Sequence, residues 1–223
     1  MKESMDLFGM ALLAYSRGDK NKFYFEDVEG NKFEHPLNKY FRKYKQLTKI
    51  ERKIISLSKG RILDVGCGTG MYIPYLMNQG DVLGMDISNN ALVVAKEKFK
   101  LTNVVLKDIF KFKPKNKFNT IVLLENNLGM GETLSGTKKL LKKLVSILEP
   151  NGVILTNGRQ AYNGKYFVAR MSPIWKGNNG KMFNWISFDS EFLKNICAEE
   201  GLDLKVLFKD KQNYLAEITR GKR

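Results

Sequence analysis

An apolar strand that runs directly into three alternating glycines constrains this chain more than any other feature. Residues 61–65 (RILDV) have the length and composition of a buried strand, and residues 66–70 (GCGTG) follow at once. Glycine is needed where the backbone turns tightly and where a ligand approaches without a Cβ in the way. In an α/β sheet, the turn after the first core strand lies at the carboxyl edge, where ligands bind. The segment therefore predicts a ligand-binding turn.

The spacing of the glycines separates this turn from two other nucleotide-binding turns. The dinucleotide fingerprint places its third glycine three residues after the second, and that position holds Met71. The third glycine comes one residue earlier, at Gly70. The Gly-Lys-Ser/Thr ending of a phosphate-binding P-loop does not follow. A nicotinamide-dependent oxidoreductase and a P-loop enzyme are therefore disfavoured.

Around this turn, short apolar strands alternate with helical segments. The alternation is typical of parallel strands joined by right-handed crossovers. The last two strands have no helix between them, so we expect an antiparallel finish. The sequence therefore predicts a doubly wound, mostly parallel α/β sheet. The predicted strands are 61–65, 81–86, 103–106, 118–124, 153–156, 202–208 and 213–218, and the predicted helices of this region are 71–78, 89–99, 133–148 and 190–200.

Two further regions fall outside this alternation. Before the core, the sequence predicts a helix over 4–16, a hairpin over 22–34 and a helix over 38–58. Between the core strands and the last helix, residues 161–188 are rich in aromatic side chains and predict an inserted antiparallel ribbon. We therefore divide the chain into an N-terminal cap, 1–59, and a core, 60–223, that carries the ribbon.

Composition excludes several classes of function. With His35 as the only histidine, a histidine-based metal site and a serine–histidine triad are nearly excluded, and we predict no metal. Cys67 and Cys197 are far apart and form no disulfide framework, which favours a cytoplasmic protein. No stretch approaches the ~20 apolar residues of a membrane span. The formal charge of +15 comes mostly from lysine, whereas readers of nucleic acid favour arginine.

Four segments in register resemble the class I S-adenosylmethionine-dependent methyltransferases. Residues 64–70 (DVGCGTG) match the first motif of that family, an acidic residue followed by alternating glycines. The later motifs follow in order, and together they cover residues 60–158. The resemblance implies a Rossmann-like, seven-stranded sheet and an enzyme that transfers methyl groups from S-adenosyl-L-methionine. The later motifs are 82–88 (VLGMDIS), 107–109 (KDI), 118–124 (FNTIVLL) and 148–153 (LEPNGV).

The resemblance also implies which residues hold the cofactor. The glycine turn would cradle its methionine part, with Asp64 near the ammonium group. Asp86 would accept hydrogen bonds from the ribose; its alternative role is to cap the next helix. Asp108 would bind the adenine amine. The complete predicted set is Asp64, Gly66, Cys67, Gly68, Gly70, Asp86, Ile87, Asp108, Ile109 and Leu124, with Arg42 as a partner for the cofactor carboxylate or as an ordinary surface arginine.

The residues after the 118–124 strand depart from one branch of the family. Many amine and base methylases carry Asn/Asp-Pro-Pro-aromatic there, and this chain has Glu125-Asn126-Asn127 instead. A base methylase of that type is therefore disfavoured. Glu125 and Asn126 are the candidate catalytic residues, although Glu125 has an equal alternative as a cofactor contact or loop cap. Tyr40, Tyr162 and Trp185 are candidate substrate contacts; for Tyr162 and Trp185 the alternative is packing within the ribbon.

Three functions remain open at this stage. The first is a methyltransferase for a small-molecule or peptide acceptor. The second is an RNA or protein methyltransferase that uses its basic surface to dock a large partner, with nucleic acid disfavoured. The third is a non-catalytic module that binds the cofactor, which the intact glycine turn opposes. We predict no membrane partner.

Overall fold

A helix begins the described part of the chain, and further helices form connections of the core. The computed structural model describes residues 2–161 and 163–221, and all structural statements refer to these. Short 3-10 turns add to the helices at Leu37–Phe41, Tyr44–Gln46, Ile109–Lys111 and Asn127–Gly131. The α-helices are α1 (Lys2–Ser16), α2 (Lys49–Leu57), α3 (Ile73–Leu76), α4 (Asn89–Phe99), α5 (Leu134–Ser146) and α6 (Ser190–Glu199).

The strands form two sheets, which we call the main sheet and the cover sheet. The main sheet has seven strands and the cover sheet has five. The strands are β1 (Phe23–Asp27), β2 (Lys32–Glu34), β3 (Gly60–Val65), β4 (Gly80–Asp86), β5 (Val104–Leu106), β6 (Phe118–Leu123), β7 (Leu148–Arg159), β8 (Tyr166–Trp175), β9 (Asn178–Asn179), β10 (Phe183–Phe188), β11 (Leu202–Lys209) and β12 (Asn213–Arg220).

The main sheet confirms the predicted fold class. Its order is β11-β12-β7-β6-β3-β4-β5; β3 to β7 are parallel, and β12 pairs antiparallel with β7. From β3 the chain proceeds outward to β4 and β5, and then returns to the other side of β3 as β6. Such a reversal of strand order opens a crevice at the carboxyl ends of the two central strands. The glycine turn after β3 and Glu125 after β6 therefore flank the place where an α/β sheet binds its ligand.

Apolar layers cover both faces of the main sheet. Buried residues of α2, α3 and α4 pack on one face, and those of α5 and α6 pack on the other. The strands of the centre are apolar on both sides, as strands buried on both faces must be. α4 shows the local logic: Ser88 caps its first turn by accepting from the Ala91 backbone, and Lys100 ends it in the left-handed conformation. This rigid body fixes the positions of the strand ends.

The cover sheet joins two regions that the sequence analysis placed in different units. Its order is β10-β8-β1-β2, with β9 on β8. The hairpin β1–β2 and the ribbon β8–β10 were both predicted, but their pairing with each other was not. Phe25 of β1 lies opposite Pro173 of β8, and Phe23 lies opposite Trp175. The N-terminal cap and the ribbon therefore form one layer beside the carboxyl edge of the main sheet.

Two predicted helices are shorter than expected. The predicted helix over 38–58 is wrong in its first half: Arg42, Lys43 and Leu47 are extended, and α2 begins only at Lys49. Thr48 and Glu51 form a capping box, since the Thr48 hydroxyl accepts from the Glu51 N–H and the Glu51 carboxylate accepts from the Thr48 N–H. This cap stops the helix from extending toward the N-terminus. The predicted helix over 71–78 is regular only over α3.

None of the helices formed by residues 2–161 and 163–221 has both the length and the apolar character needed to cross a membrane.

Candidate functional site

The glycine turn after β3 leaves open space beside its backbone. Gly66, Gly68 and Gly70 have φ angles of 71°, 55° and 75°, which favour glycine over any residue with a side chain. A Cβ on Gly66 would lie 2.6 Å from Asn127 Nδ2, so close packing requires glycine there. A Cβ on Gly68 would meet no atom within 4 Å. The Gly68 backbone therefore faces a cavity that an incoming group can fill.

Asp64 is a buried carboxyl group that lacks a partner among the described residues. It is 1 % exposed, and its Oδ2 forms no hydrogen bond there. Burial, together with the nearby charge of Asp86, raises the pKa of Asp64 to about 7. A buried polar group without a partner is unfavourable by roughly 1–3 kcal/mol. A positively charged group bound at this point would remove that penalty.

Asp86 and Asp108 lie at the ends of the next two strands. Asp86 accepts from the backbone N–H groups of Gly68 and Ser88, each at 2.8 Å, so it ties the end of β4 to the glycine turn. Ser88 caps α4, and the alternative cap role of Asp86 does not apply. Asp108 accepts from the Phe110 N–H at 2.9 Å and begins a short turn. Ile87 and Ile109 follow the two acids, and all four residues line one cavity.

That cavity has a volume of about 1150 Å³ and opens over the carboxyl edge of the main sheet. Ligand sites usually span about 300–1000 Å³, so the volume suffices for two ligands side by side. We call the side formed by the ends of β3, β4 and β5 the glycine side. The acceptor side is formed by the ends of β6 and β7 and by the cover sheet. Helix α1 contributes Phe8 and Leu12 to the wall.

A partly buried charge cluster holds Glu125 at the boundary between the two sides. Arg42 Nη2 donates to Glu51 Oε1 at 2.6 Å and to Glu125 Oε1 at 2.8 Å. The Tyr72 hydroxyl lies within hydrogen-bond distance of both carboxylates and donates its one proton to either of them. Burial and the interaction with Glu51 raise the pKa of Glu125. Burial alone would raise the pKa of Glu51, but its hydrogen bonds have the larger combined effect and lower that pKa to about 2.

The cluster changes the role that the structure supports for Arg42. Its guanidinium is occupied by two carboxylates and does not line the cavity. The prediction that Arg42 pairs with a cofactor carboxylate therefore finds no geometric support. The alternative, a simple surface arginine, fails too, because only 18 % of the side chain is exposed. Arg42 positions Glu125 instead.

The backbone after β6 is held in an uncommon conformation. Glu125 and Asn126 have φ angles of 56° and 59°, a region that costs residues with side chains about 1–2 kcal/mol each. The charge cluster holds Glu125, and Asn126 Nδ2 donates to Ser187 Oγ of β10 at 2.9 Å. Strain of this kind persists where the surroundings fix a side chain for function. Both candidate catalytic residues and Leu124 line the cavity.

The structure describes two of the three candidate substrate residues. Tyr40 and Trp185 line the cavity, and Tyr162 lies outside the described residues. The Tyr40 hydroxyl lies 2.8 Å from His35 Nε2, within an aromatic cluster that includes Phe8 and Phe25. Burial lowers the pKa of His35 to about 3, so its ring is neutral. Gly129 makes room for Trp185, whose Nε1 would lie 2.2 Å from a Cβ there.

Sequence reasoning missed several polar side chains that line the acceptor side, among them Lys39, Asn157 and Arg159. Asn157 and Arg159 end β7, and the prediction stopped that strand at residue 156. The sequence carried a signal for Asn157 and Arg159, because polar residues that follow a buried parallel strand lie at the edge of the sheet where ligands bind. For Lys39 no signal existed, because its segment was predicted as an ordinary amphipathic helix. Among the described residues, no group of three or more His, Cys, Asp or Glu side chains is placed to hold a metal ion.

Comparison with known proteins identifies the domain. Residues 62–152 match the family model described as "Methyltransferase domain", and this segment contains the glycine turn, Asp86, Asp108 and Glu125. Over residues 62–152 the chain therefore matches a methyltransferase domain, in agreement with the resemblance to class I S-adenosylmethionine-dependent methyltransferases. The predicted family is thereby confirmed.

Relatives of this methyltransferase domain show how far the likeness extends. Malonyl-[acyl-carrier protein] O-methyltransferase 2 of Ilyobacter polytropus is 29% identical over 70% of this chain and 55% of its own length. Putative methyltransferase YqeM of Bacillus subtilis is 31% identical over 44% of this chain and 41% of its own. The chain thus spans about half the length of these curated relatives.

A solved structure matches nearly the whole chain. A SAM-dependent methyltransferase from Bacteroides fragilis, in complex with S-adenosyl-L-homocysteine, superposes with a TM-score of 0.87. The match covers 99% of this chain and 97% of that one, at 23% sequence identity. It therefore includes the cover sheet and α1 as well as the methyltransferase domain, and it supports the fold of the whole chain.

Proposed function

We propose that this protein transfers a methyl group from S-adenosyl-L-methionine to a small-molecule acceptor. The observation that carries the proposal is the single cavity that runs from the glycine turn to the aromatic wall of the cover sheet. Its glycine side suits the cofactor, and its acceptor side leaves room for a second ligand. The matched methyltransferases agree with methyl transfer, and the acceptor follows from the residues of this chain's own cavity.

The residues of the glycine side fit the cofactor. The unpartnered Oδ2 of Asp64 suits the cofactor ammonium, and the open backbone of Gly68 suits its methionine part. Asp86 suits the ribose hydroxyls, and Asp108 suits the adenine amine. Ile87 and Ile109 provide apolar contacts for the base, while the Cys67 thiol, whose pKa burial raises well above its usual range, stays neutral.

The bound cofactor supplies a sulfonium-linked methyl group that is already strongly electrophilic. The protein's contribution is therefore to place the acceptor atom in line with the methyl–sulfur bond and to exclude water. Helix α1 and the cover sheet close the cavity from above. Glu125 faces the boundary between the two sides, and its raised pKa suits a group that takes a proton from an amine or hydroxyl acceptor. Asn126, anchored on β10, holds the neighbouring wall in place.

The shape of the acceptor side favours a small acceptor over a polymer. Aromatic side chains from α1, the 37–41 turn and β10 line it, among them Phe8, Tyr40 and Trp185. Apolar walls of this kind suit a compact ligand with a few polar groups. The lysines that give the net charge of +15 are distributed along the chain, and many of them are exposed. Activity on small acceptors should therefore change little between 50 and 200 mM salt, whereas docking of RNA would weaken steeply.

Replacing Asp64 with asparagine should have opposite effects on stability and on cofactor binding. The folded pKa of about 7 lies above the ordinary value of 3.8, so the folded state holds a proton that the unfolded state releases. Asp64 therefore lowers stability as the pH rises through this range, and above it the penalty is complete. Asp64→Asn should raise the melting temperature of the ligand-free protein at pH 8 by several degrees. The same variant should bind S-adenosylhomocysteine at least tenfold more weakly.

Thermal melts at pH 5 and pH 8, together with calorimetry, measure both effects. The stability gain should shrink at pH 5, where the wild-type carboxyl is protonated in the folded state. Lower stability at pH 8, or unchanged cofactor affinity, would contradict the assignment.

Replacing Glu125 with glutamine should lower turnover more than cofactor affinity if Glu125 accepts a proton. Glutamine keeps the shape and an acceptor oxygen for Arg42 and Tyr72, so the cluster can persist. Single-turnover rates measured beside S-adenosylhomocysteine affinity separate the two effects. Equal losses in both would make Glu125 a binding residue.

A further inference from the structure

Two cationic side chains on the acceptor side have no ion-pair partner among the described residues. Lys39 belongs to the Leu37–Phe41 turn, Arg159 ends β7, and both line the cavity. Lys39 Nζ lies 5.4 Å from the centre of the Tyr40 ring, which turns an aromatic face toward it. No carboxylate within residues 2–161 and 163–221 lies within salt-bridge distance of either side chain. Lys39 and Arg159 therefore line the same cavity without an ion pair to any acid of the described residues.

The environment of Lys39 is unfavourable for a lone cation. Its side chain is half-buried, and burial lowers its pKa. Among the neighbouring charges, Glu125 acts most strongly and raises the pKa, as Glu51 does, whereas Arg42 and Arg159 lower it. A desolvated cation is stabilised when an anion binds beside it. The site therefore becomes balanced only when a negatively charged group enters.

Four of the five acids that line the cavity are assigned elsewhere, and the fifth, Glu132, forms no ion pair with Lys39 or Arg159. Asp64, Asp86 and Asp108 lie on the glycine side, at the ends of β3, β4 and the segment after β5. Glu125 uses its Oε1 to accept from Arg42 and Tyr72. The balancing anion is thus expected from a ligand.

A third group on β7 adds a hydrogen-bonding requirement. Asn157 precedes Arg159 by two residues, so both side chains leave the strand on the same face. Asn157 Oδ1 is buried and has no hydrogen-bond partner among the described residues. An N–H or O–H of a bound ligand would satisfy it. The end of β7 therefore presents one acceptor and one cation to the same ligand.

We propose that the methyl acceptor carries an oxyanion, a carboxylate or a phosphate, bound between Lys39 and Arg159, and a hydrogen-bond donor that reaches Asn157. The inference rests on the proposed function and specifies its substrate class. The aromatic residues Phe8, Tyr40 and Trp185 contact the apolar part of that acceptor.

The cofactor's own carboxylate has the same chemistry and is the competing source of the anion. The tie between Thr69 Oγ1 and the Tyr40 carbonyl, 2.7 Å long, brings the Lys39 turn near the glycine turn. The position of Arg159 favours the acceptor as the source of the anion. Its strand is two positions from β3 in the main sheet, which is about 10 Å at the usual spacing of ~4.8 Å per strand.

The test uses protein saturated with S-adenosylhomocysteine and three probes that share a phenyl ring: phenylacetate, phenyl phosphate and phenethylamine. Calorimetry measures their binding to the wild type, to Lys39→Met and to Arg159→Met. The matched control is Lys45→Met, which removes one exposed lysine from the next turn and leaves the cavity lining intact. Methylthioadenosine lacks the amino acid part of the cofactor, so its affinity shows whether a variant affects binding of the adenosine part.

We expect at least one of the two anionic probes to bind and the amine not to. Either cavity variant should weaken that binding at least tenfold, whereas Lys45→Met should leave it within twofold. Equal binding of the amine, no binding of either anion, or anion binding that survives both variants would overturn the proposal. A tenfold loss of S-adenosylhomocysteine affinity in Lys39→Met, with methylthioadenosine unaffected, would also overturn it by assigning Lys39 to the cofactor. Failure of the wild type to bind S-adenosylhomocysteine at all would instead reject the proposed function.

Discussion

Replacing Gly68 with valine should weaken cofactor binding at least 100-fold, which corresponds to about 2.8 kcal/mol. Gly68 has a φ of 55°, and its missing side chain leaves open cavity within 4 Å. Valine would place a branched side chain in the space assigned to the cofactor's methionine part. It would also strain the backbone, because β-branched residues avoid positive φ. Calorimetric titration with S-adenosylhomocysteine measures the loss.

A matched variant at a second glycine separates the effect of the lost cavity space from the effect of backbone strain. Gly201 has a φ of 68°, also has no atom within 4 Å of a Cβ, and follows α6 outside the cavity lining. Gly201→Val should therefore destabilise the fold by a similar amount and leave cofactor affinity unchanged. If Gly68→Val bound the cofactor within threefold of Gly201→Val, the glycine turn would not be the cofactor cradle.

Replacing Arg42 with methionine should destabilise the folded protein by about 3 kcal/mol at pH 7.5. Removing one partner of a buried ion pair typically costs about 3–5 kcal/mol, and 18 % exposure places Arg42 at the lower end. Glu51 and Glu125 would then share Tyr72 without a cation between them. For a chain of this size the loss corresponds to a drop in melting temperature of roughly 6–12 °C.

The pH dependence of that loss identifies its cause. Without Arg42 the already raised pKa of Glu125 should rise further, and Glu51 should lose one of the hydrogen bonds that lower its pKa. The folded variant should then bind more protons than the wild type and gain stability as the pH falls. Urea denaturation at pH 7.5 and pH 5 should therefore show a smaller deficit at the lower pH. Arg52→Met, on the same segment but outside the cluster, is the control and should change stability little. A deficit below about 1 kcal/mol, or one independent of pH, would refute the cluster.

The core of the fold was predictable because each signal is local. The glycine turn, the apolar strands and the helices between them depend on residues next to one another, and strand order follows from right-handed crossovers. Asp64, Asp86 and Asp108 were predictable for the same reason. Each comes at or just after the end of a strand, so its position in sequence also fixes its position at the ligand edge.

The acceptor side was less predictable because its contacts are distant in sequence. Nothing near β1 reveals that it pairs with β8, whose residues follow about 150 positions later. The Arg42–Glu125 contact joins residues 83 positions apart. The helical periodicity over 38–58 gave no sign of the turn that places Lys39 at the cavity. Periodicity shows which residues are apolar, but it does not show where a cap ends the helix. The charge cluster and the two unpaired cations therefore appear only in three dimensions.

The most direct test of the central claim is a calorimetric titration of S-adenosylhomocysteine into the wild-type protein and into Asp86→Ala. The account predicts one site per chain for the wild type and at least tenfold weaker binding for the variant. The alanine removes the carboxylate that accepts from Gly68 and Ser88 and that we propose accepts from the ribose. Absence of binding to the wild type, or displacement of the ligand by NADH, would contradict the assignment of this edge to an adenosyl cofactor.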